Sequence, residues 1–134
     1  MSGFLDINVL VRYLTGDPPE LSEKVTQIID GEHELHVTDV VLEETGCVLM
    51  SVYRVPRDVV VDQLLAFMQK RNISPFGLGK DVVLQALLLC RPSGRESFSD
   101  AMIWAAARSS RNKVVYSLGA RYPELGIEVR QNGS

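Results

Sequence analysis

The stretch FLDINVLVRYL, residues 4–14, sets a carboxylate, Asp6, between two apolar runs near the start of the chain. A charge among apolar side chains costs free energy unless a hydrogen bond, a counter-charge or a ligand compensates it. GFLD (3–6) reads as a short buried strand, and Asn8 can cap the helical turn that carries Val9, Leu10, Tyr13 and Leu14. Asp6 thus closes a strand and precedes a helix. That junction is the repeating unit of an open α/β sheet, and it sets the frame for the rest of the chain.

The same grammar recurs downstream. GDPPE (16–20) supplies a turn in which Pro18 and Pro19 begin the next helix rather than interrupt one. Leu21, Val25, Ile28 and Ile29 then follow helical spacing as far as Gly31. ELHV (34–37) reads as a strand, and Thr38 or Asp39 can cap a third helix running to about Tyr53. Pro56 begins a fourth helix, with Val59, Leu64, Leu65 and Phe67 or Met68 as candidate core positions. Residues 72–74 are expected to form a third strand and 81–90 a fifth helix, with RPSGRES (91–97) as a loop. Residues 97–109 are almost wholly apolar, which predicts a helix buried on most sides. VVYS (114–117) reads as a final apolar strand, and IEV (127–129) as a short edge strand. Strands spaced by helices of this length predict a twisted parallel sheet flanked by helices on both faces. Ligands of such a fold sit beyond the carboxyl ends of the strands.

At 134 residues the chain fits one domain, 1–134, with its core over about 3–130 and no internal repeats. A composition of 46% hydrophobic and 23% charged residues excludes a disordered chain. No apolar run approaches the roughly 20 residues needed to cross a bilayer, and no signal-type segment opens the chain, so a cytoplasmic location is expected. Cys47 and Cys90 lie in apolar surroundings without ligand-like spacing and read as buried free thiols of a reducing compartment. A net charge of −3 argues against broad nonspecific DNA binding, although Arg108, Arg111 and Lys113 could form a local basic rim.

Three acids stand where acids need a reason. Asp6 at the end of the first strand could be an Asx turn or a cap. Glu44 is expected on the flank of an apolar stripe through Val41, Thr45, Val48, Leu49 and Val52, whereas Glu43 should point well away into solvent. Asp100 follows Ser97 by three residues, a capping-box spacing at a helix N-terminus that favours an anion. Singly, each has a structural explanation. Together they are three carboxylates from three separate elements, which could not stay ionised side by side without a compensating cation. Oxygen ligands with no His or Cys nearby suit Mg²⁺ or Mn²⁺, and that chemistry suits phosphodiester hydrolysis.

FLDINVLVRYL, VVLEETGCVL (40–49) and SFSDAMIWAAA (97–107) together resemble the three acidic blocks of the PIN-domain nucleases, and most closely the VapC toxins of bacterial toxin-antitoxin pairs. The resemblance implies a Mg²⁺-dependent endoribonuclease whose metal-binding and catalytic acids are Asp6, Glu44 and Asp100. It also implies a homodimer inhibited by a VapB-like antitoxin lying across the active-site groove. Asn8, Arg12 and Ser117 are minor candidates, and Arg12 and Arg121 could contact RNA phosphate. The chain departs from the family pattern at Ile7, where a hydroxyl is usual, and at Ser97, where an Asp is frequent; Glu96 is adjacent. In VVYSLGARY (114–122), Ser117 keeps a hydroxyl but Gly119 replaces the usual fourth acid, and the spacing of Glu124 does not match. A catalytically weakened PIN module that binds RNA or antitoxin is therefore the alternative, with a phosphatase-like or nucleotide-binding α/β domain behind it. The HELH histidines, His33 and His36, lack helical metal-site spacing. Trp104 reads as core or dimer interface rather than as a base-stacking residue.

Overall fold

The computed structural model describes residues 2–92, 97–119, 122 and 124–131. Its elements are β1 (Ser2–Phe4), α1 (Ile7–Thr15), α2 (Pro19–Ile29), β2 (Glu34–Val37), α3 (Asp39–Ser51), α4 (Arg57–Met68), β3 (Ile73–Pro75), α5 (Lys80–Leu89), α6 (Phe98–Ser109), β4 (Val114–Tyr116) and β5 (Glu128–Arg130). The strands β1, β2 and β3 form a parallel sheet in that order, with Phe4 opposite His36 and His36 opposite Ser74. A parallel pair, β4 with β5, makes a second sheet. All pairing is parallel and helices flank the sheets, so the α/β fold class is as expected.

Side chains alternate along the strands. Leu5, Leu35, Val37, Ile73 and Val115 point into a core shared with Leu64, Phe67, Met68, Leu87 and Trp104. Helices α4 and α5 pack near β3, α6 packs near β4, and α3 lies against α1, α4 and α6. Among the described residues no helix is long and apolar enough to cross a membrane.

Local chemistry sets the boundaries. Gly16 ends α1 at φ +71°, where a residue without Cβ is favoured, and its N–H reaches the Arg12 carbonyl. Pro19 opens α2, with Pro18 at the cap. Thr38 rather than Asp39 caps α3, its hydroxyl accepting from the Val41 N–H at 3.3 Å. Asn8 does not cap α1. The cap is Asp6, because the Leu5 N–H still bonds the His36 carbonyl at 2.9 Å and leaves Asp6 as the first residue beyond the strand.

Some burial differs from the apolar pattern. The stripe that α4 buries is Val60, Val61, Leu64, Phe67 and Met68, so Val59 is turned outward. In α3 the buried residues are Leu42, Thr45, Gly46 and Leu49, which leaves Cys47 exposed, while Cys90 is buried as expected.

Polar ties close the ends. The Asn72 amide donates to the carbonyls of Ile29, Gly31 and His33 at 2.9, 3.3 and 3.1 Å, fastening the α2–β2 link beside β3. The Lys80 ammonium donates to the carbonyls of Lys70 and Ile73, both at 2.7 Å, and its burial pushes its pKa down. At the ends of α2 and α4, Asp30 accepts from Lys70 at 2.7 Å and from the Tyr13 hydroxyl at 3.0 Å.

The Lys70 bond holds the Asp30 carboxyl below the usual carboxylate range, and Asp30 in turn raises Lys70. A depressed acid contributes stability above its unfolded pKa, about 4, and loses it as pH falls through the lowered folded value. Lys70, being raised, loses its share only as pH climbs through its own folded value. Because the pair is partly exposed, Asp30→Asn should cost about 0.5 kcal/mol at pH 7. Urea unfolding of both proteins from neutral to strongly acidic pH should show that difference disappearing at the acid end.

Candidate active site

The three acids come from three different local devices. Asp6 has extended backbone, φ −85° and ψ 158°, and its Oδ1 accepts the Ile7 N–H at 2.8 Å. Its backbone carbonyl takes the N–H groups of Val9 and Leu10. The carboxylate is exposed at the carboxyl end of β1, and its second oxygen has no partner among the described residues. Capping and ligand presentation are compatible here, since one oxygen serves each.

Asp100 is half-buried in the first turn of α6, and its N–H donates to Ser97 Oγ at 3.0 Å. One half of the capping box is thus built. The Tyr122 phenol lies against this carboxylate: burial raises its pKa, and the charge and hydrogen bonding of Asp100 raise it further. Tyr122 was not among the residues the sequence singled out, because its partner lies 22 positions upstream and no periodicity links them.

Glu44 stands on α3 but is exposed, and Glu43 is the half-buried one. This reverses the expected projection. The stripe α3 buries fully runs through Leu42, Thr45, Gly46 and Leu49, with Val41 and Val48 half-buried beside it and Val52 exposed, and this rotation turns Glu44 toward solvent. Cys47 sits near both glutamates: desolvation pushes its thiol up, Glu43 and Glu44 add to this, and Arg57 opposes it. Arg57 is a second residue that sequence reading missed. Its guanidinium lies 5.4 Å from the centre of the Phe98 ring and donates to the Cys90 carbonyl at 3.4 Å, which puts a cation at the start of α6.

The carboxyl end of β4 carries Ser117 and Gly119. The Gly119 N–H donates to Ser117 Oγ at 3.1 Å, and that hydroxyl donates to the Gly119 carbonyl at 3.3 Å. Gly119, Tyr122, Glu124, Val129 and Gln131 line a depression of about 440 Å³. Tyr122 therefore joins the loop of Gly119 to Asp100. Asn8 is exposed in the first turn of α1, where its carbonyl accepts from Arg12 at 3.5 Å. Arg121 and Glu96 lie outside the described residues. His36 packs against Phe4 and Phe76, and His33 is exposed before β2.

Residues 3–128 match the model of the PIN domain. The chain belongs to the PIN domain family. Comparison with curated proteins finds no match. PIN domains have a nuclease-type fold, are commonly metal-dependent nucleases and typically use divalent cations.

The candidate donors, carboxylate oxygens alone, are of the type that a hard divalent cation takes. Their arrangement is another matter. Among the described residues, no three His, Cys, Asp or Glu side chains form a group that could hold a metal ion.

How close α3 and α6 come is decided at Gly46. A Cβ there would stand 2.8 to 3.0 Å from ring carbons of Phe98, closer than packed side chains allow. Gly46→Ala should therefore lower stability in urea unfolding by about 1–3 kcal/mol. Gly3→Ala, whose new Cβ meets nothing within 4 Å, serves as the control and should stay within about 0.5 kcal/mol of the parent.

Proposed function

We propose that the chain is a PIN-domain endoribonuclease of VapC type, one domain over residues 1–134. On this reading it hydrolyses RNA phosphodiester bonds with Mg²⁺ or Mn²⁺ as cofactor, in the cytoplasm, as a homodimer restrained by a VapB-like antitoxin. The observation that carries the reading is the placement of Asp6, at the carboxyl end of the first strand of a chain matched to the PIN family over residues 3–128. Asp100 in the first turn of α6 and Glu44 on α3 supply the other acids. Support for the metal comes from the donor chemistry and the family rather than from a formed cage. The residues' own parts are simpler. Asp6 caps α1 through one carboxylate oxygen and Asp100 stands in the first turn of α6 against the Tyr122 phenol, and either carboxylate can orient a water or take its proton.

RNA cleavage with and without Mg²⁺ tests this. Asp6→Asn keeps a residue that caps helices well, so folding should survive while cleavage falls at least about 100-fold. Asp100→Asn should behave alike. Cleavage at the parent rate in both variants would remove these acids from the site.

One observation favours a second reading, in which the domain binds RNA or antitoxin but cleaves poorly: position 119 is glycine and, among the described residues, no three acids are grouped. The site can accept the missing acid. A Cβ on Gly119 would meet only Ser117 Oγ, at 3.8 Å, an ordinary contact. Gly119→Asp should then raise both Mg²⁺ affinity and cleavage; unchanged values would show that position 119 does not limit the site.

A further inference from the structure

Three rings meet on the outward side of the three-stranded sheet. Phe4 on β1, His36 on β2 and Phe76 just beyond β3 pack with centroids 5.2 Å apart for Phe4–His36, 5.0 Å for Phe4–Phe76 and 6.2 Å for His36–Phe76. Apolar rings are normally buried, yet Phe4 and Phe76 are each 58% exposed. A built turn holds Phe76 there: its N–H bonds the Val37 carbonyl at 2.9 Å, and Gly77 follows at φ +74°. The cluster lies at the carboxyl ends of the strands, and Phe4 precedes Asp6 by two residues.

Size narrows the occupant. With about 200 Å² per phenylalanine, each ring exposes roughly 120 Å², and the whole patch roughly 300 Å². A stable protein interface takes about 800 Å² from each partner, more than these three rings supply by themselves. Its neighbours on the same face, Ser2, Glu34 and Ser74, are polar and do not extend it. A flat ring of nucleobase size fits such an area, and nucleobases stack on aromatic side chains whatever their sequence.

We infer that Phe4, His36 and Phe76 form a base-stacking platform for single-stranded RNA, which seats the substrate beside Asp6. The inference rests on the ribonuclease reading for its substrate class. Stacking rather than phosphate contact carries the binding, in keeping with a chain of net charge −3 and an acid, Glu34, at the platform's edge. Affinity should accordingly depend only weakly on salt.

The test is fluorescence anisotropy of a labelled short single-stranded RNA in EDTA, where cleavage cannot interfere. Phe4→Leu and Phe76→Leu keep apolar bulk but lose the π face, and each should weaken binding about tenfold. Phe4→Trp should retain affinity, and RNA should quench the emission of the new indole against the background of buried Trp104. Parent affinity in both leucine variants, or no quenching in the Phe4→Trp variant, overturns the platform. So does a double leucine variant that binds RNA normally but changes oligomeric state in light scattering, which would make the patch a protein-docking face. The two readings can fail separately. Cleavage unaffected by Asp6→Asn would sink the catalytic assignment while leaving the EDTA binding result intact, and parent binding in the leucine variants would sink the platform while leaving Asp6-dependent cleavage intact.

Discussion

Where α3 crosses α6 there is room for a hydrogen at position 46 and for nothing larger, because the Phe98 ring occupies the space. Much else depends on that contact. It fixes the rotation of α3, which sends Leu42, Thr45 and Leu49 inward and turns Glu44 toward solvent. It also fixes the first turn of α6, which carries Asp100 and opens with Phe98 beneath the guanidinium of Arg57. The packing outweighs some polar demands: Thr45 Oγ1 and Trp104 Nε1 are buried without a hydrogen-bond partner among the described residues, at a cost of about 1–3 kcal/mol each. A close-packed seam between two helices thus sets the positions of two of the three acids.

The order of strands and helices was legible in the sequence because punctuation marks it. Pro19, Gly16, Thr38 and Ser97 each stand at a boundary for a reason that acts over a few residues. Rotation of α3 was not legible. Hydropathy favours the valines at 41, 48 and 52, whereas the helix buries Thr45 and Gly46, one polar and one without a side chain, because another helix must come close there. The cap of α1 was left open between Asp6 and Asn8 for a similar reason. Both residue types cap well, and the decision came from a strand bond made by Leu5 to His36, 31 positions away.

The candidate site divides in the same way. Asp6 and Asp100 could be picked out because each also does local structural work that the sequence displays. Tyr122 beside Asp100, Arg57 over Phe98 and the ring cluster at Phe4 are products of long-range register, and no run of neighbouring residues announces them. Asp6 shows that a structural explanation and a functional one need not compete. One carboxylate oxygen holds the helix, and the other remains open to solvent.

The outer side of β3 has a consequence for what can join this sheet. In a parallel strand alternate residues direct their backbone groups to the same side, and here Asn72 and Phe76 serve β2 while Ile73 and Pro75 face away. The Ile73 N–H is taken by the Lys70 carbonyl and the Ile73 carbonyl by the Lys80 ammonium, and Pro75 has no N–H to offer. Such an edge is blunted: it presents no free ladder for another chain to extend, which guards against edge-to-edge aggregation. A partner peptide therefore cannot dock by adding a strand beside β3, and must use side-chain contacts or another surface.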